Sequence, residues 1–215
     1  MPLLKDLKWR YACKKFDPSK KVSKKDLHEL LEALRLSPSS YGLQPWKFLV
    51  ITDKKLRETL RNCARGQSQI TDASHLIVLC VRTDLGESYV KRYIDLIAKT
   101  RNASLESLDA YKSRIIDSLN NKPADKKEEW AIRQVFIALG MLLSACCQKR
   151  IDACPMEGFS NEKFDEILKL KEKSLKSVVL CTVGYRGGDQ FAKLKKVRFG
   201  KEEVFEFIPR KDNPS

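Results

Sequence analysis

The sequence predicts an α+β fold, and three observations predict it. Short runs at 46–52 (WKFLVIT), 75–82 (HLIVLCVR) and 177–184 (SVVLCTVG), largely apolar, have the length of buried strands, and 151–155 reads as a further short strand. Between them, leucines and isoleucines recur at helical spacing, so helices separate the strands along the chain. No glycine-rich phosphate loop follows the first strand, and neither GxGxxG nor GxxxxGK[ST] occurs, which sets the chain apart from the dinucleotide-binding parallel folds.

Each element has a local reason. Ser23 to Asp26 form a capping-box variant, and Leu27, Leu30, Leu31 and Leu34 then mark one face of a helix. Pro38 disfavours helical geometry at the residue before it, so that helix ends near Leu36. The turn Ser37 to Pro45 leads into the first strand. Asp53 caps the next helix, with Leu56, Leu60 and Ala64 on one side, before the second strand. Residues 84–99 are predicted helical. Leu105, Leu108, Ile115 and Leu119 mark a further amphipathic helix that stops at a polar break over 120–127. The segment 130–149 has little polar face beyond Arg133, Gln134 and Gln148, so it is predicted to be buried on several sides, at the centre of an oligomer interface. A third strand (151–155), a helix (161–170) and a fourth strand follow. Gly187-Gly188 then opens a loose basic tail to residue 215. With no repeat and no linker, 215 residues predict a single domain, 1–215, large enough to bury a real core.

Composition excludes several function classes. No run reaches the roughly 18–20 apolar residues of a membrane span, and the opening Met-Pro-Leu-Leu-Lys-Asp lacks a signal-peptide layout. Seven cysteines, an odd number scattered mostly through apolar runs, predict free buried thiols in a reducing compartment and hence a cytoplasmic protein. The two histidines, His28 and His75, do not cluster with them, so no metal site is expected. The net charge of +14 is spread along the chain without an aromatic ladder or zinc spacing, which argues against specific nucleic-acid recognition. Such a field steers phosphorylated small ligands, among them dinucleotides and FMN.

Five segments carry the functional signal: Arg10-Tyr11-Ala12-Cys13-Lys14 with Phe16; Ser37 to Trp46; Gly66 to Gln69 ahead of Asp72 to His75; Pro155 to Phe159; and Leu194 to Phe199. Read singly, they are a solvated basic segment, a helix-to-strand turn, a polar loop, a strand end and a basic tail. Read together, basic pairs at both ends and a polar turn between them suggest a pocket for an anionic, planar ligand.

Taken in order and at these positions, the segments resemble the nitroreductase family of FMN enzymes, over nearly the whole chain and most weakly across 84–127. The resemblance implies a central, mainly antiparallel sheet flanked by helices and a homodimer that exchanges its C-terminal extension. It implies FMN as cofactor and NAD(P)H as co-substrate. Arg10 would bind the FMN phosphate, with Tyr11 and Ala12 beside it; Ala12 stands where the family usually has serine. Lys14 would lie near the flavin pyrimidine edge and stabilise charge at N1. Pro38, Ser39 and Ser40 would reach the flavin held mainly by the other subunit, with Gly42 in place of a common asparagine. Gln67 or Gln69 would hydrogen-bond the flavin ring. Pro155, Met156, Glu157 and Gly158 would approach N5 through their backbone, the Glu157 side chain ordering water there. Lys196 and Arg198 would join Arg10 on the phosphate. Lys14, Glu157 and Gly158 are thus the expected catalytic groups. The implied reaction is ping-pong hydride transfer from NAD(P)H through FMN N5 to a nitroaromatic, quinone or related conjugated acceptor. A flavin-binding sensor or storage protein with little turnover, and a basic polyanion binder, remain open as other readings.

Overall fold

Four strands form one antiparallel sheet in the order β1-β2-β4-β3, where β1 is Trp46–Ile51, β2 His75–Arg82, β3 Asp152–Met156 and β4 Leu175–Gly184. This computed structural model describes residues 1–208, so 209–215 of the predicted tail lie outside the described residues. The central strands are largely apolar because both sheet faces are covered, with Ser177 and Thr182 of β4 as buried polar exceptions. Alternate side chains point to opposite faces. Ile77, Leu79 and Val81 of β2, with Val179, Cys181 and Val183 of β4, belong to one hydrophobic cluster. Leu76, Val78 and Cys80, with Leu180 and Cys154, belong to a second.

The first cluster is closed by α2 (Lys24–Arg35), α5 (Glu87–Arg101), α6 (Asp109–Asn120) and α7 (Ala124–Gln148), which supply Leu30, Leu34, Val90, Ile94, Ile115, Leu119, Val135 and Leu142. The second receives Leu60 of α3 (Lys54–Asn62), Ile70 of α4 (Gln69–Asp72) and Phe164 of α8 (Asn161–Ile167). Two further helices flank the chain ends, α1 (Pro2–Trp9) and the short α9 (Lys201–Val204).

Several expectations change in detail. The capping box at Ser23 is half formed: the Ser23 hydroxyl accepts from Asp26 N at 3.0 Å, but the Asp26 carboxylate turns to the Ser23 hydroxyl and Lys149 instead of the cap backbone. The polar break at 120–127 shrinks to three residues, because Pro123 serves as N-cap and Lys126, Lys127 and Glu128 continue into α7. That 25-residue helix is, among the described residues, the one long and apolar enough to cross a membrane by length and composition; half of its apolar window is buried in the fold. It is not buried all round within this chain: Phe136, Ile137 and Met141 face outward. Nor is β1 a fully buried strand, since it forms one edge of the sheet and its middle residues are half-buried. The tail is not simply loose. It forms a turn at 190–193 and folds back on the N-terminal segment.

Candidate active site

The site is built on the other sheet edge, the outer side of β3. Ala12 forms a parallel bridge with Ala153, and Cys13 N donates to Ala153 O at 3.2 Å. The Ala153 carbonyl therefore points away from β4. By the alternation of an antiparallel ladder, so does the nitrogen of Pro155. A proline tolerates that place because an outward nitrogen has no ladder bond to lose. Beyond Ala153 the edge lacks a bridging strand among the described residues, and it runs on through Met156 to Glu157 and Gly158.

Above this edge lies a groove of about 530 Å³ lined by Trp9, Tyr11, Ala12, Lys14, Phe191 and Lys196, among others. Its size falls in the range of small-molecule sites, ~300–1,000 Å³. The Lys14 ammonium reaches across β3 to 3.8 Å from Cys154 Sγ. The Lys196 ammonium donates to the Arg10 carbonyl, joining the two ends of the chain. Burial, and then the charges of Arg10, Arg198 and Arg186, hold the Lys196 pKa below the ordinary lysine value. Cations so crowded repel one another, and an anion seated among them relieves that repulsion.

Asp189 is the acid among them. Its Oδ2 accepts from Lys14 N at 2.7 Å, Tyr11 Oη at 2.9 Å and Lys15 N at 3.2 Å, and its Oδ1 from Phe191 N at 3.0 Å. Burial works to raise its pKa, and these hydrogen bonds outweigh it, so the carboxyl is held below its usual range. The Tyr11 phenol is pushed well up, first by burial and then by its bonds with Cys13 and Asp189. Next to this, Arg186 lies over the rings of Trp9 and Tyr11, 4.4 and 4.6 Å from their centroids. Its N and Nε both donate to the buried Asp152 at 2.8 Å.

The far end of the β3 edge carries the polar loop. Gln67 Nε2 donates to Gly158 O at 3.0 Å and to Ala64 O at 3.1 Å, whereas Gln69 is buried in α4. Of the two glutamines left open by the sequence, Gln67 is the one beside Gly158. The Glu157 side chain is exposed and lines a separate cavity of about 450 Å³ with Phe136 and Asn161.

Pro38, Ser39, Ser40 and Gly42 do not line the groove in this chain. Their turn is strained, with positive φ at Tyr41 (59°), Gly42 (68°) and Gln44 (52°). A set of hydrogen bonds from other elements holds it. The hydroxyls of Tyr93 and Tyr111 both donate to Tyr41 O at 2.8 Å, Tyr89 Oη donates to Gln44 O at 2.8 Å, and Gln134 Oε1 accepts from Ser40 N at 2.9 Å. A Cβ at position 42 would stand 2.4 Å from Tyr93 Oη, so this turn has no room for a side chain there as it is packed. Arg198 stays exposed, with its guanidinium donating to Val197 O at 2.6 Å.

Residues 7–185 match the model of the nitroreductase family. The chain belongs to the nitroreductase family. A Staphylococcus aureus USA300 protein provisionally named NAD(P)H nitroreductase is 36% identical over 215 residues, covering 95% of this chain and 94% of that protein. Among solved structures of nitroreductases, Bacillus subtilis YdfN superposes with a TM-score of 0.86 at 20% identity, over 95% of this chain and 98% of that one. An Exiguobacterium sibiricum nitroreductase, solved in complex with FMN, superposes at 0.83 and 21% identity, over 96% and 97%. These likenesses establish the nitroreductase-like fold with its antiparallel sheet.

Sequence reasoning missed Asp189, the Asp152–Arg186 pair and the three tyrosines that hold the turn. Asp189 follows Gly187-Gly188 and so had a turn signal, but nothing in its neighbourhood announced partners at residues 11–15. The family match itself ends at Tyr185, short of it.

Proposed function

We propose that this nitroreductase is an FMN-dependent NAD(P)H oxidoreductase, acting as a homodimer in the cytoplasm with 1–215 as a single FMN-binding domain. The observation that carries this is the pair Lys14 and Lys196 lining a groove beside the open edge of β3, with Arg10 close enough for its charge to act on Lys196. The donor set fits FMN: cations for a phosphate, aromatic walls for a planar ring, and outward backbone groups along the strand edge. Bound FMN would supply the two-electron chemistry, hydride arriving from NAD(P)H and leaving to a nitroaromatic, quinone or related conjugated acceptor in ping-pong order.

The chain's own residues divide the remaining work. Arg10, Lys196 and Arg198 hold the phosphate, Tyr11 and Ala12 line its approach, and Lys14 stabilises negative charge at the pyrimidine edge. Pro155, Met156, Glu157 and Gly158 present the strand edge, and Gln67 fixes the Gly158 carbonyl. Pro38, Ser39, Ser40 and Gly42 serve the partner's flavin. The outward Phe136, Ile137 and Met141 of α7, and the exposed Val197, Phe199, Phe205, Phe207 and Ile208 of the tail, are the apolar surface a dimer covers.

The test is direct. The purified protein is expected to show flavin bands that bleach anaerobically with NADPH or NADH; bands that persist favour the sensing role, and no bands after adding FMN overturn the reading. Arg198→Ala removes a charge-assisted contact of about 1.5–3 kcal/mol, so FMN binding should weaken about 10- to 100-fold. Unchanged affinity in a fluorescence titration removes Arg198 from the site.

A further inference from the structure

We propose that Asp189 is the positioning residue of the cationic groove: its carboxylate, seated between the Tyr11 hydroxyl and the main-chain N–H groups of Lys14 and Lys15, fixes the 10–15 arm so that Lys14 lies across the outer edge of β3. That the groove takes FMN rests on the function proposed above; that Asp189 orders the arm does not.

The arm needs such a device. Residues 10–15 lie outside any helix or extended strand, so no ladder of hydrogen bonds holds them. Their ties to the sheet are the Ala12–Ala153 bridge and the bond from Cys13 N, both ahead of Lys14. Beyond it, Gly187 N donates to Lys15 O at 2.9 Å. At Lys14 itself the one hydrogen-bonded main-chain tether among the described residues is Asp189 Oδ2, which also takes Tyr11 and Lys15. One oxygen thus gathers three donors spanning five residues. Asp189 is itself held, since its Oδ1 accepts from Phe191 N in the turn that walls the groove. The carboxylate therefore couples two sides of the groove, the arm below and the 190–193 turn above.

Charge makes an aspartate more apt than a neutral acceptor. Lys14 and Lys196 line the groove, Arg10 and Arg186 act on Lys196 by their charge, and a buried anion near them lowers this repulsion without occupying the groove. It touches the arm's backbone and not the Lys14 ammonium, which lies 3.8 Å from Cys154 Sγ.

The test uses full-length Asp189→Ala and Asp189→Asn with wild type, with two readouts. Amide hydrogen–deuterium exchange on flavin-free protein reads the arm: in Asp189→Ala, residues 10–16 should exchange at least tenfold faster while β2 and β4 are unchanged. Fluorescence titration reads FMN: Asp189→Ala should bind at least tenfold more weakly, and Asp189→Asn, which keeps an acceptor oxygen, should recover most of that loss. Faster exchange in a protein whose wild type binds no FMN supports the positioning role and sinks the flavin reading. Arm exchange equal to wild type in a folded Asp189→Ala protein overturns the proposal, as does FMN affinity unchanged where wild type binds. Should Asp189→Ala not fold, Tyr11→Phe removes one of the three donors and carries the same test: a smaller rise in arm exchange supports the proposal, and none overturns it.

Discussion

Replacing Gly42 by alanine tests how the strained turn is held. Two costs can be worked from the structure. With φ at +68°, an L-residue at 42 pays the left-handed penalty, about 1–2 kcal/mol. The new Cβ would stand 2.4 Å from Tyr93 Oη, inside van der Waals contact, with the next ring atom at an ordinary 3.5 Å. Relieving that clash means moving the tyrosine or the turn, at about 1–3 kcal/mol, so Gly42→Ala should cost about 2–5 kcal/mol in all. Tyr93→Phe deletes the one atom that clashes. By itself it should cost only about 1 kcal/mol, because Tyr111 continues to donate to the Tyr41 carbonyl. In the Tyr93→Phe background, alanine at 42 should then pay little beyond the left-handed term. Urea unfolding of the four proteins at one protein concentration gives the cycle, with an expected coupling of about 1–3 kcal/mol. Equal costs of Gly42→Ala in both backgrounds would refute the idea that the hydroxyl excludes a side chain there.

Two further predictions concern a buried arginine and a half-buried histidine. Arg57 is 4% exposed and donates to the carbonyls of Ile70, Ala73 and Ser74 at 2.6, 2.5 and 3.1 Å. Arg57→Met should destabilise by about 3 kcal/mol or more, since each stranded carbonyl costs about 1–3 kcal/mol; a loss below about 1 kcal/mol in denaturant melts would show that the carbonyls find other partners. The His75 pKa is lowered, first by burial and then by the charges of Arg57 and Lys21. The unfolded chain therefore takes up its proton first, so stability falls as pH drops through about 6.5 and levels off below the folded-state pKa. His75→Gln should lack that component, and a stability difference from wild type that stays flat between pH 8 and 5 would contradict it.

The sheet was legible because the two central strands are covered on both faces, so HLIVLCVR and SVVLCTVG could be read as strands without knowing their partners; the edge strand WKFLVIT was read from its apolar run alone. Their order was not legible, because pairing depends on which helices cover which face. α1 was overlooked although Pro2 sits at a helix's first position, because Leu4 and Leu7 face outward and Asp6, the residue buried there, is polar and paired with Arg150. The start of α7 was misplaced because Lys126 to Glu129 look like a solvated break, yet they form i,i+3 and i,i+4 ion pairs on the helix. In the site, the cations were visible as basic pairs and the loop as Gly66 to Gln69. The groups that hold them, Asp189, Asp152 and Tyr89, Tyr93 and Tyr111, were not, since each acts on backbone far away in sequence and leaves no local pattern.

The contact between Lys196 and the Arg10 carbonyl closes a loop of 186 residues. A nascent chain is made from its N-terminus at roughly 5–20 residues per second, so Arg10 waits about 10–40 s for its partner. All four strands precede Lys196 in the chain. The groove is thus closed only after every strand of the sheet has been made, and cofactor loading becomes a step that follows synthesis of the sheet instead of guiding it.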